Sequence, residues 1–245
     1  TKLTPRSSGD IVWDSATNRF ALVDKDGKKV FSENDKDIPQ NASVWKIVDS
    51  ASAAESENNY AVYLKDGVTA ESLTVKTGID VGNANVGTLT YKTTDSQSVI
   101  IRTNGGNLVV DGNDATNVSH YGYAADLKVK KVASSSYHEY GTIGTLSELA
   151  AGHVEIEPTG KVIEITVNAV SSSATVTNNG QVLNFNGNNV SGNQQSDNFA
   201  LTSNSEFASF REMVNSGCNF NNITITLSQD IDLSSYNNWE PIGTK

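Results

Sequence analysis

The chain has 245 residues and a formal net charge of −10, with 28 acidic against 18 basic side chains. Phosphate neutralisation needs clustered Lys and Arg, and no such cluster occurs, so no nucleic-acid partner is expected. No window approaches the run of about 18 apolar residues that a spanning helix needs, and the lone Cys218 excludes an internal disulfide. What remains is rich in Ser, Thr, Asn and Gly together with β-branched Val and Ile, the composition of an all-β, loop-rich protein.

No signal peptide is visible, and the opening TKLTPRSSGD reads as a processed start. Residues 9–58 then give short strands separated by turn clusters, SATN and KDGK. A stack of strands exposes unpaired edges at its ends, so this segment is expected to be an N-terminal β cap. Trp13, Phe20, Phe31 and Trp45 would pack over the first rung. DKDGK lacks the ligand pattern of a calcium loop and reads as a turn.

Residues 59–192 carry a repeat of nineteen. Leu89, Leu108, Leu127, Leu146 and Ile165 form one apolar column, and Tyr91, Val110 and Val129 another, two residues on. Leu73 and Val75 precede the column by sixteen residues, and GQVLNF echoes GKVIEI twenty residues later. Val99, Val118, Tyr137 and Ile156 form a further apolar column, and Thr103, Gly122, Gly141 and Gly160 a turn-like one. Glu148 and Ile163 break their columns. Lys92, Asp111 and Lys130 alternate in sign down an outward column, which reads as a surface ion-pair ladder.

Apolar-in, polar-out alternation marks half-buried strands. A strand recurring at one spacing with one facing cannot belong to a meander, whose direction flips at each turn. It fits a coil that lays each strand parallel to the last, about 4.8 Å along. The predicted fold is a right-handed, single-stranded parallel β-helix of six or seven rungs, similar in a general way to the pectin-lyase-like helices.

Residues 193–245 supply the one predicted α-helix, SNSEFASFREMVNSG. Ser203 and Glu206 make a capping box, Phe207, Phe210 and Val214 line a face, and Gly217 stops it. A strand is expected at 223–227. The run VNSG, then ITITLSQDIDL, then NNWEPIGT resembles the opening of β-helical modules with GLUG-type repeats, found in large cell-surface proteins of gut bacteria and other adhesin-like proteins. That resemblance covers about the last 45 residues. It implies a cap or the truncated start of a second β-helical module, with Asp230 and Asp232 as a structural acidic pair, and a secreted or cell-surface location.

The nineteen-residue register sets His120 beside Glu139, His138 beside Ser119, and Tyr121 beside Tyr140, with Arg102 in the tyrosine column. Arg102, His120, Tyr121, His138, Glu139 and Tyr140 are therefore the candidate binding residues. The bland reading of the His120–Glu139 pair is a stabilising ladder at a corner of the stack. His153 has no metal partner in sequence, no zinc spacing exists, and the Asn and Gly of NGGNLVVDGND serve turns. No catalytic residue, metal or cofactor is expected. The reading is a non-enzymatic extracellular protein that binds a glycan or a host or bacterial surface ligand along a β-helix face. The alternatives are a polysaccharide lyase or hydrolase centred on Arg102, His120, Tyr121, Glu139 and Tyr140, and a structural spacer without ligand.

Overall fold

The computed structural model describes residues 11–14, 19–23, 29–30, 45–58, 61–114, 116–133, 137–185, 189–234 and 239–243. Three short antiparallel strands, β1 (Ile11–Asp14), β2 (Arg19–Val23) and β3 (Lys29–Val30), form a sheet of their own. The packing expected of Trp13, Phe20, Phe31 and Trp45 lies outside the described residues and side chains.

From β4 (Trp45–Val48) onward the strands pair in parallel. Two stacks run side by side, and most turns of the coil contribute a strand to each. The first holds β4, β5 (Ala61–Leu64), β7 (Ile79–Asp80), β9 (Ser98–Asn104), the start of β11 (Asn117–Lys131), β12 (Tyr137–Glu139), β14 (Gly152–Ile156), β16 (Ala174–Asn178) and β18 (Val190–Gly192). The second holds β6 (Thr69–Val75), β8 (Asn85–Lys92), β10 (Asn107–Asp111), the rest of β11, β13 (Thr142–Leu149), β15 (Lys161–Ile165) and β17 (Gln181–Phe185). The result is a parallel β-helix of about 6 turns. No turn can bury its apolar faces alone, and stacking supplies one continuous core from Val48 to Val182.

The leucine column is in register: Leu73 pairs with Leu89, Leu89 with Leu108, Leu108 with Leu127, Leu127 with Leu146 and Leu146 with Ile165. The echo of GKVIEI in GQVLNF also holds, with Val162 opposite Val182. The other apolar column drifts. Val118 pairs with Val99 and Tyr137, but Tyr137 then pairs with Val154, and Ile156 pairs with Glu139. The cause is a tight corner: only Ala150 and Ala151 separate β13 from β14, and Gly152 turns the chain at φ +101.

The column breakers have local causes. A bulge between Leu127 and Lys128 sets Leu149 opposite Val129, so Leu149 fills the core and Glu148 faces out to meet Lys130 Nζ at 2.6 Å. A second bulge after Val110 sets Asp111 opposite Lys131. The expected ladder is thereby corrected: Asp111 pairs with Lys92 at 3.2 Å, while Lys130 turns to Glu148. Ile163 faces outward and is nonetheless buried, because the C-terminal segment packs over it.

That segment contains β19 (Asn198–Leu201), α2 (Asn204–Asn215) and β20 (Thr224–Leu227), with β19 and β20 parallel. Ser203 caps α2, its Oγ accepting from Glu206 N at 3.1 Å. Glu206 reaches back one residue further than a standard capping box, accepting from Thr202 N at 2.6 Å. The helix buries Met213 completely beside half-buried Phe207 and Phe210, whereas Val214 stays outside this cluster. Gly217, at φ +89, ends it. With Phe199 and Leu201, these side chains form a second core against Tyr123, Ile163 and Leu183 of the β-helix. Lys161 ties the two together: its Nζ donates to Ala200 O and to Glu206 Oε1, both at 2.7 Å.

A second helix, α1 (Ala51–Ser56), was not expected; it is six residues long and buries only Ala54. Neither described helix is long and apolar enough to cross a membrane.

Candidate functional site

Strand alternation decides which candidate residues reach a surface. Along β11, Val118 and His120 point inward and are wholly buried, while Ser119 and Tyr121 point outward. His120 and Glu139 are adjacent in register, as the nineteen-residue spacing implies. Their column, however, is an interior one, running Ile79, Ile101, His120, Glu139, Ile156, Asn178.

A histidine and a glutamate in an aliphatic column must satisfy each other there. His120 Nδ1 lies 2.9 and 2.8 Å from the two carboxylate oxygens of Glu139. Tyr137 Oη donates to Glu139 Oε2 at 3.0 Å, and Gly141 N donates to Oε1 at 2.8 Å. The Thr103 hydroxyl spends its one hydrogen on Tyr123 O at 2.5 Å, so its oxygen is an acceptor for His120 Nε2 at 2.8 Å. The pair is a closed polar network in the core, and the expected corner position is corrected by the inward facing of residues 118, 120, 137 and 139.

The outward neighbours form the surface site. Asp80, Arg102 and Tyr121 follow one another in register, and the Tyr121 and Tyr140 rings stack at 4.9 Å and 9°. Beside this column the glycine column is so close-packed that a Cβ on Gly122 would lie 2.0 Å from Thr103 O, one on Gly141 2.3 Å from Gly122 O, and one on Gly160 2.1 Å from Glu139 O. Gly122 and Gly141 of this column line a cleft of about 610 Å³. Arg102, Tyr121 and Tyr140 line one wall, and Ser209, Arg211 and Glu212 of α2 line the other. His120 and Glu139 do not line it, so the arginine and the buried pair do not converge.

The electrostatics of the cleft follow from partial burial. Burial, then Tyr140 and Glu157, push the Tyr121 phenol up to about 12, against the lowering effect of Arg102. Burial and then Glu157 and Glu155 raise Tyr140. Both rings are thus neutral phenols at physiological pH, able to donate and accept hydrogen bonds. The stack covers one face of each ring, and while the Tyr140 hydroxyl is bonded to Glu157, ring edges and the Tyr121 hydroxyl are left for a ligand. Asp80 is pushed up to about 6 by burial, against the opposing effects of Arg102 and the Gly82 N–H. Arg102 Nε lies 3.9 Å from Asp80 Oδ2, too far for a hydrogen bond, and is buried with no hydrogen-bond partner.

His138 belongs to a different outward column. Its register partners are Ser119, as the spacing predicts, and Glu155. Its ring stacks loosely on Tyr140, 6.4 Å away, and its Nδ1 meets Glu157 Oε1 at 2.6 Å. His153, two residues before Glu155 on β14, bonds through Nδ1 to Thr175 Oγ1 at 2.7 Å and lies close enough to feel the charges of Glu155 and His138, although burial chiefly lowers its pKa. The amide of Asn104 donates to Gly82 O and Ala84 O and Gly106 takes φ +71, both in the service of turns. Cys218 is partly buried in the second core, and burial raises its thiol.

Sequence reasoning found the Arg102–Tyr121–Tyr140 wall and missed the helix wall opposite. The two are about 70 to 110 residues apart along the chain, and only the apolar outward positions Tyr123, Ile163 and Leu183 marked where something must pack. The nineteen-residue register already sets Glu157 beside His138, although the sequence reading did not name it, whereas Glu155 was missed because the tight corner at Gly152 shifts that register by two residues. Comparison with known proteins finds no match, whether among family models, curated proteins or solved structures.

Proposed function

We propose that this chain is a non-enzymatic glycan-binding module of a secreted or cell-surface protein, and that the glycan lies in the cleft between the tyrosine column and α2. The observation that carries this reading is the parallel Tyr121–Tyr140 stack at 4.9 Å on the wall of a cleft of about 610 Å³. A cleft of that size accommodates a short oligosaccharide segment. Neutral phenols, serine hydroxyls and glutamates match sugar hydroxyls, and the part-exposed Arg102 side chain adds a charged donor to the wall. The resemblance of the last 45 residues to GLUG-type modules of adhesin-like proteins supports the same assignment.

The alternative of a polysaccharide lyase or hydrolase requires a base beside Arg102. His120 and Glu139 are enclosed in the core, Tyr121, held up near 12, is a poor base at neutral pH, and the cleft carboxylates Glu206 and Glu212 are paired with Lys161 and Arg211. The test is a glycan array followed by calorimetric titration of the best hit against the wild-type chain and Tyr121→Ala. Saturable binding weakened about 10-fold by the substitution fits the proposal. Unsaturated product released from a uronate polymer would favour the lyase, and an array without hits would favour a spacer.

A further inference from the structure

The tight corner at Gly152 creates a second cluster, next to the cleft wall at Tyr140. It slides β14 so that Glu155 lies beside His138, and Glu157 follows two residues on. His138 Nδ1 is 2.6 Å from Glu157 Oε1 and 3.5 Å from Glu155 Oε2. One ligand atom from each of the three side chains fits within 4.8 Å of the other two. We propose that His138, Glu155 and Glu157 bind a divalent transition-metal ion of the Zn²⁺ class.

The donor set selects the ion. One imidazole nitrogen with two carboxylate oxygens suits borderline ions such as Zn²⁺, while Ca²⁺ and Mg²⁺ prefer all-oxygen shells with more ligands. Ligands at about 2.0–2.1 Å in a tetrahedral shell lie about 3.4 Å from one another. The Glu155–His138 separation of 3.5 Å already meets this. The Glu157–His138 contact, 2.6 Å, is a hydrogen bond that opens by less than about 1 Å to admit the ion.

The ligands are also held. Asn179 Nδ2 donates to Glu155 Oε1 at 2.8 Å, which leaves Oε2 turned toward His138. The Tyr140 ring lies loosely stacked beside the imidazole, with centroids 6.4 Å apart. Such outer contacts orient ligands in known metal sites. Among the described residues no lysine or arginine pairs with Glu155 or Glu157, so the cluster carries an excess of negative charge when His138 is neutral. All three side chains are part-exposed, at 27%, 30% and 16%, so an ion can enter and a fourth coordination position faces solvent.

The experiment is calorimetric titration of ZnCl₂ into the untagged, chelator-treated full chain, with thermal melts in parallel. The expected result is one saturable Zn²⁺ per chain, a raised Tm, and no comparable response to CaCl₂ or MgCl₂. His138→Ala and Glu157→Gln should each weaken binding at least about 10-fold with the β-sheet circular dichroism unchanged. Absence of saturable binding, or Zn²⁺ affinity unaltered in His138→Ala, would overturn the proposal and leave the cluster as a histidine–glutamate ion pair only.

Discussion

His120 Nδ1 lies 2.8 Å from Glu139 Oε2 inside the β-helix, and both side chains are completely buried between Ile101 and Ile156 in one interior column. Two polar side chains thus stand where the fold otherwise places aliphatic ones. They hold one another through a network closed by Thr103, Tyr137 and Gly141.

This arrangement predicts an asymmetry. Removing one partner strands the other in the core, and Glu139→Leu or His120→Leu should each cost about 3–5 kcal/mol in urea unfolding. The double replacement restores a continuous aliphatic column and should lie closer to the wild type than either single change. A double variant as unstable as the sum of the two would show that the network, not mutual satisfaction, sets the stability.

The acidic side predicts a pH effect at Asp80. Its folded carboxyl is raised to about 6 from 3.8, chiefly by burial. Between these values the folded chain holds a proton that the unfolded chain has released, so the contribution of Asp80 to stability falls as pH rises from about 4 to 6. Above that window it stays lower, by on the order of 3 kcal/mol. Asp80→Asn should remove this slope: the stability of the variant relative to wild type rises between pH 4 and 6. An unchanged difference across that range contradicts the assignment.

The helix wall of the cleft depends on Lys161, whose Nζ bonds both Ala200 O and Glu206 Oε1 and sits 5.3 Å from the Phe199 ring centroid. Lys161→Met keeps the stem and deletes these bonds. Amide hydrogen exchange should speed up in α2 and β19 while β9, β11 and β13 keep their protection. Uniform loss of protection across the β-helix would show that the C-terminal segment is part of one cooperative unit with it.

The coil was legible in the sequence because its columns repeat at one spacing. Leu89, Leu108, Leu127 and Leu146 each sit at the same point of an identical turn, and so reveal parallel stacking without any long-range information. The adjacency of His120 with Glu139 and of Tyr121 with Tyr140 followed from the same register. Facing was the harder part. His120 carries a polar side chain at a position whose register neighbour Ile101 marks it as interior, and the nature of the residue outweighed that clue. Register was lost where a turn changed length, at Gly152, and that one shift hid the meeting of His138 with Glu155. The cleft was illegible because its second wall comes from a helix about 70 to 110 residues away, joined through outward apolar positions that resemble column errors when read singly.

The cleft itself is the central claim, and backbone amide NMR of the ¹⁵N-labelled chain titrated with an array-selected oligosaccharide tests it most directly. Perturbed resonances should cluster at Arg102, Tyr121, Gly122, Tyr140 and Gly141 and, across the cleft, at Ser209 to Glu212. Saturable perturbations confined to other faces of the β-helix, with these residues silent, would contradict it.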